Sequence, residues 1–344
     1  MRMLLGYRVA PIEDFEFTAQ IVDVSWLHPM RASNVPGNRN SPYPLVGDPD
    51  RTDLNLLFAD YTGLPDTRIR FGRQAIKLDN ERFVGDADVR QMPQVFDAVS
   101  VRNTSVPNTE IFAARAWHVR TYFGNRVQTG TTLLNARTQL EIGPTLGAYA
   151  YLQNQPLINT GNGFRDNSNQ ITGARLEGNH ADSRGTKWYY TAEVARQRPY
   201  ASGDTRIRAG YQRLAFGPSW ASHSVQLNYE RLGSNRGLYG FQMPLSYNTF
   251  QGFAYEFFTT PPDGVRDLSI SYGTSWERLT LLLKHHRFKA DFGGVVHGNE
   301  RDVMLSYRAT DSLSIRGVFA RFRAEATSLR PSADRYYINL IYDF

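Results

Sequence analysis

Apolar and polar residues alternate with period two along nearly the whole chain, and the 3.6-residue period of an amphipathic helix is almost absent. In "LNARTQLEI", Leu134, Ala136, Leu140 and Ile142 fall on one face, and Asn135, Arg137, Gln139 and Glu141 on the other. In "SVQLNYE", Val225, Leu227 and Tyr229 oppose Gln226, Asn228 and Glu230. "RDLSISY" repeats the pattern, and in "YYINLIYDF" Tyr336, Ile338, Leu340, Tyr342 and Phe344 share a side. Such segments predict strands with one oily and one wet face. No linker, low-complexity tract or change of composition divides residues 1–344, which read as one domain.

The connections add an asymmetry. Short turns ("PIED", "GLPDT", "GPT", "ADSRG") join strands pairwise. Between those hairpins lie long polar segments, "HPMRASNVPGNRNSPYPLVGDPD", "LINTGNGFRDNSN" and "GSNRGLYGFQMPLSYN". A soluble sandwich gives no reason for short and long connections to take turns. A transmembrane antiparallel β-barrel does, with short periplasmic turns at one rim and long extracellular loops at the other. Repeats of fixed period, as in a solenoid, and a recurring blade signature, as in a propeller, are both missing. The pattern predicts an all-β barrel of about 17 strands, each near the ~9–11 residues a tilted membrane strand needs. The chain ends on Phe344 after an alternating aromatic strand, similar to the C-terminal signal of bacterial outer-membrane proteins.

Two termini on one rim require an even strand number. The expectation is therefore about 18 strands in the intact protein, with one N-terminal strand and any signal peptide preceding "MRMLLGYRVAPIED". That opening alternates from about Met3 to Ala10 and has neither an apolar signal core nor a small-residue cleavage site.

Composition narrows the function. No run of 18 or more apolar residues exists, so no transmembrane helix is expected. Cys is 0, which removes disulfides, thiolate zinc sites and a cysteine nucleophile. Lys+Arg 39 against Asp+Glu 33 leaves +6, mostly arginine. That excess is too small and dispersed for a nucleic-acid partner.

The densest charge lies in "ADYTGLPDTRIRFGRQAIKLDNERFVGDADVRQMPQVFDAVSV". A strand ending in G-R-Q, then D-x-E-R-F-x-G, then R-Q, then F-D-A, resembles the alginate-export family of outer-membrane barrels. "FQMPLSYNTFQGFAYEFFTTPPDGVRDLSISYG" is similar to a second segment of that family, around a P-L, a G-x-A-x-x-F and a G-x-x-D-L. The chain departs from the pattern in lacking the first strand and in having Met92 and Pro93 after Arg90 and Gln91. The resemblance implies a channel in the bacterial outer membrane and leaves the cargo open.

Within the first segment, Arg68 and Arg70 share one face and Ile69 and Phe71 the other, so both arginines are expected to point into the lumen. Gly72 is expected to lie at a bulge where Arg73 and Gln74 turn inward. The loop bearing Asp79, Glu81, Arg82, Asp88 and Arg90 is long enough to fold into the barrel, held by arginine–carboxylate pairs. Two readings stay open: a positive constriction for anions, or braces that only pin the loop to the wall. Further cations sit on polar faces: Arg8, Arg137, Arg175, Arg206, Arg208, Lys284, Arg308 and Arg316. Carboxylates share that wall, at Asp97, Glu141, Glu177, Glu193, Glu230 and Asp267.

Catalytic and metal constellations are weak. His285 and His286 are neighbours in a strand and project to opposite faces, as do the residues of "SHS" around His223. Asp79, Glu81, Asp86 and Asp88 offer acidity without the spacing of a calcium loop. "GNG" at Gly161 precedes no helix and is no nucleotide fingerprint. The chain thus reads as a passive, cofactor-free channel for anionic solutes, from uronates and alginate to small organic acids. The alternative is a non-transporting barrel, an adhesin or structural protein working through its loops. Outer-membrane lipid is the expected surrounding. A monomer is expected because every well-patterned strand carries apolar or aromatic outward residues, with no stretch of small or polar ones marking an interface.

Overall fold

Side chains that alternate between two faces need a second layer for one face only, and strand after strand here finds it in the chain's own long connections. The computed structural model describes residues 1–26, 47–87, 90–155, 166–246 and 250–343. Among these it is all strand and turn, without helix. The strands are β1 (Arg2–Arg8), β2 (Phe15–Val24), β3 (Arg51–Leu64), β4 (Thr67–Gln74), β5 (Val95–Asn103), β6 (Thr109–Arg120), β7 (Arg126–Gln139), β8 (Thr145–Asn154) and β9 (Asn169–Ala181). They continue as β10 (Lys187–Pro199), β11 (Ala209–Trp220), β12 (His223–Leu232), β13 (Val265–Trp276), β14 (Leu279–Lys289), β15 (Val296–Arg308), β16 (Leu313–Ala324) and β17 (Ala333–Tyr342). The 17 strands agree with the number expected from the sequence.

Each strand pairs antiparallel with the next, from β1–β2 through β8–β9, β9–β10 and on to β16–β17. No ladder joins β1 to β17 among the described residues. The connections after odd-numbered strands are short, such as residues 65–66, 221–222 and 277–278. Those after even-numbered strands include the long ones, residues 75–94 and 233–264. The short-turn and long-loop rims read from the sequence are thus present. "LINTGNGFRDNSN" and "HPMRASNVPGNRNSPYPLVGDPD" lie largely outside the described residues.

Where the long connections pack, the inner face is buried and the outer face exposed. Asn135, Glu193, Tyr211, Glu230, Asp267 and Phe288 are buried, while Leu134, Val194, Leu214, Leu227, Leu268 and Ile270 between them are exposed. On β17 the outward set Tyr336, Ile338, Leu340 and Tyr342 is exposed throughout. An apolar outer face exposed on every side is what lipid contact requires.

Two expectations need correction. Gly72 has φ 125°, yet the register runs through it unbroken, Phe58 opposite Gly72 on one side and Gly72 opposite Ala98 on the other. It is no bulge. A Cβ there would come within 2.2 Å of the Leu57 carbonyl oxygen, which is why glycine occupies the position. The outer wall is not free of small residues either. Ala113, Ala136, Ala148, Thr172 and Ala174 line, with Ile111, Leu134 and Val194, one shallow depression across β6 to β10, a stretch of small residues that the sequence pattern did not lead us to expect.

Candidate functional site: an interior entered by two connections

Residues 75–94 leave β4 and residues 233–264 leave β12, and the two connections meet on the inner side of the sheet. Val84 and Leu245 form a parallel bridge, and Gly85 N donates to the Leu245 carbonyl at 3.0 Å. Gln94 Nε2 donates to that carbonyl at 3.0 Å and to the Gly85 carbonyl at 2.9 Å. The Ser246 hydroxyl donates to the Glu81 carbonyl. Satisfying backbone groups in this way is what allows irregular chain to lie inside a sheet.

Apolar side chains fix the two segments to the wall. Phe83 lies against the rings of Tyr149, Tyr211 and Phe241, at centroid distances of 5.4, 5.0 and 5.8 Å. Phe257 does the same on the far side, 4.5 Å from Phe288 and 6.0 Å from Phe322. Strands β8, β11, β14 and β16 therefore all contribute to one core, which requires the sheet to curl round the connections.

Charge is sorted by wall. Asp79, with φ 57°, directs its carboxylate to Arg175 at 2.8 Å, with Arg137 at 3.8 Å and an amide donor from Asn135 at 2.7 Å. Three residues on, Arg82 points the other way, 3.6 Å from Glu230 and 3.9 Å over the Phe250 ring. The connection thus gives an acid to the basic wall of β7 and β9 and a base to the acidic wall of β12. Beyond Glu230, Asp267 receives His286 at 2.9 Å, and His286 Nε2 lies 3.6 Å from Asp302. Lys284 sits among them, 5.1 Å over the Phe253 ring. Burial opposes the Lys77 ammonium, but Asp86 and Glu81, each at 3.2 Å, outweigh it and raise its pKa.

The structure sorts the residues singled out from sequence. Arg70 is on the inner face in a bidentate pair with Asp60, both bonds 2.7 Å, and stacks 3.7 Å over Phe58. Arg68 shares that face, opposite Arg102 in register. Gln74 is buried and accepts the Ser100 hydroxyl at 2.7 Å. Arg90 stacks over Tyr255 at 5.1 Å. Arg316 is inward and exposed, its Nε 3.4 Å from the Ser306 hydroxyl.

Four assignments are corrected. Arg73 and Asp97 pair at 2.7 Å, but Arg73 occupies the register row of exposed Leu57, so the pair belongs to the outer face beside Arg126. Arg208 is exposed in the connection before β11, in phase with outward Gly210 and Gln212. Glu141 is exposed in the turn after β7. With the register unbroken at Gly72, strand alternation puts Arg73 and Asp97 on the outer side. Asp88 lies outside the described residues.

Sequence reading missed Arg102, inward on β5, paired with Glu110 and 5.2 Å over Phe112. Extending the alternation of Ser100 by one step would have found it. It also missed Arg120, which donates to the Leu54 and Pro93 carbonyls and to Asn55 Oδ1. No local signal marks that role. Among the described residues no three potential metal ligands converge.

Comparison with known proteins places this architecture. A crystal structure of Pseudomonas aeruginosa OpdK with vanillate superposes with TM-score 0.75 at 14% identity, covering 99% of this chain and 91% of that one. Pseudomonas aeruginosa OccK9 (OpdG) gives 0.75 at 14%, covering 99% and 89%. Acinetobacter baumannii OccAB3 gives 0.72 at 12%, covering 99% and 90%. No curated protein matches by sequence. The family model described as alginate export matches residues 13–254, and on that match this outer-membrane β-barrel chain belongs to the alginate export family.

Proposed function

We propose that the protein is a passive outer-membrane channel for small anionic solutes, organic acids before polymers, with no catalytic step and no cofactor. The long-loop rim faces the exterior and the short-turn rim the periplasm, residues 1–344 acting as one unit. One observation carries the reading: Arg68 and Arg102 stand directly opposite each other on the inner face, and among the described residues Arg102 has a carboxylate partner and Arg68 has none. Like charges in that relation repel, and an anion passing between them relieves the repulsion. Arg70, two residues along β4, and Arg137, on β7, add positive charge, while Asp60, the partner of Arg70, is buried behind it.

The two connections that narrow the interior favour small cargo. A polymer track needs a continuous open groove, and the Phe83 and Phe257 clusters interrupt one. The OpdK structure determined with vanillate, a carboxylate, is consistent with cargo of that size. Direction follows the solute gradient.

Reversal potentials across a planar bilayer under a salt gradient test the proposal. Anion-favouring current supports it. A folded protein that stays silent supports instead a barrel acting through its loops, and cation preference refutes the charge argument.

A further inference from the structure

We propose that the outer wall of β14–β16 binds the phosphate-bearing headgroup of a lipid in the outer leaflet, independently of whatever passes through the interior. This rests on the membrane placement and orientation proposed above, and not on conductance.

The register sets basic side chains in two adjacent rows on the outer face. His285 lies opposite Arg301, Arg301 opposite Arg321, and Arg321 opposite Asp334. In the next row toward the long-loop rim, Arg287 lies opposite Asn299 and Asn299 opposite Arg323. Neighbouring strands are ~4.8 Å apart, so guanidiniums in such rows can converge on a single anion. His285, Asn299, Arg301, Arg321 and Arg323 line one open hollow.

The charge there is not balanced. Asp334 serves both Arg321, at 3.2 Å, and Arg323, at 2.7 Å. Arg287 and Arg301 are exposed and have no acidic partner among the described residues. Arg301 directly opposite Arg321 is a repulsive pair in an empty site.

Position identifies the occupant. Immediately toward the short-turn rim the same outer face is apolar, with Leu283, Val303, Phe319 and Tyr336, then Leu305 and Ile338. The wall therefore changes from apolar to basic within one strand step, as the surrounding lipid changes from chain to headgroup. Arginine suits that boundary, its stem against apolar surface and its planar fork on phosphate oxygens. A free anion or a peripheral protein would have no use for the apolar strip below.

The test uses the full-length protein in nanodiscs of phosphatidylcholine doped with a bisphosphorylated glycolipid or with its dephosphorylated counterpart. Lipid retained after delipidation is read by native mass spectrometry. The wild type should keep the phosphorylated lipid at least about tenfold more than the dephosphorylated one. The variant Arg287→Gln/Arg301→Gln/Arg321→Gln should lose that preference while keeping its heat-resistant band and its ion selectivity. Arg301→Lys, which keeps the charge, should retain most of it, and guards against a folding defect in the triple variant. Equal retention of both lipids, an unchanged triple variant, or displacement by millimolar inorganic phosphate alone would each overturn the proposal. A silent channel that still retains the lipid would refute only the transport reading.

Discussion

Asp79 and Arg175 lie 2.8 Å apart although 96 residues separate them, and the Arg175 side chain is nearly fully buried. The pair fastens the connection after β4 to the wall at β9. Asp79→Ala should leave a buried guanidinium without its closest acid, a change worth ~3–5 kcal/mol in comparable sites. The temperature at which the folded band disappears on a gel should fall clearly. Arg175→Gln added to Asp79→Ala should recover part of the loss. A single variant as stable as the wild type would show that the ion pair does not hold the connection.

Phe83 touches three rings from two strands and the second connection. Truncation to alanine removes a buried aromatic, about 3–5 kcal/mol of local packing. The strand ladder does not pass through residue 83, so the barrel should persist while the connection loosens. Single-channel recording should then show larger or noisier conductance. Unchanged steps would mean that residues 75–94 do not set the narrowest point.

Arg68 and Arg70 should separate selectivity from stability. Arg68 is exposed and has no ion pair among the described residues, so Arg68→Ala should lower anion preference and leave the folded band intact. A unit charge ~4 Å from a passing anion contributes about 4 kcal/mol at an effective dielectric near 20 before screening. Screening over ~8 Å at physiological salt reduces this, so the effect should grow as salt is lowered. Arg70→Ala instead strands buried Asp60 and should cost stability as well. If Arg68→Ala leaves the reversal potential unmoved at low salt, the row is only structural.

Asp291, between β14 and β15, has its carboxyl pKa at about 2. Burial pushes it up, but hydrogen bonds from Arg231, the Ser234 amide and Arg266 push it down further. A group depressed on folding stabilises above its unfolded pKa of ~3.9 and loses that contribution as pH falls through the folded value. Stability of the long-loop rim should therefore decline between about pH 4 and pH 2. Asp291→Asn should be less stable at neutral pH and should flatten that part of the profile. Equal acid sensitivity in both proteins would assign the decline to other carboxylates.

What the sequence determined by itself is whatever the backbone's period of two fixes locally. Alternation put Asn135, Glu230 and Arg70 on one face and Leu134, Leu227 and Phe71 on the other, and set His285 and His286 apart. It also gave the strand number and the alternating rims, because turn residues and strand length are local properties. Partners are another matter. Moving a strand by two residues keeps every side chain on its face and changes every neighbour. Only the register could place Arg301 beside Arg321, or show that Gly72 leaves Arg73 on the outer side. Tertiary structure likewise decided that residues 233–264 fold inward to meet residues 75–94. The Val84–Leu245 bridge joins segments with no common pattern, and packing space inside a curled sheet selects it.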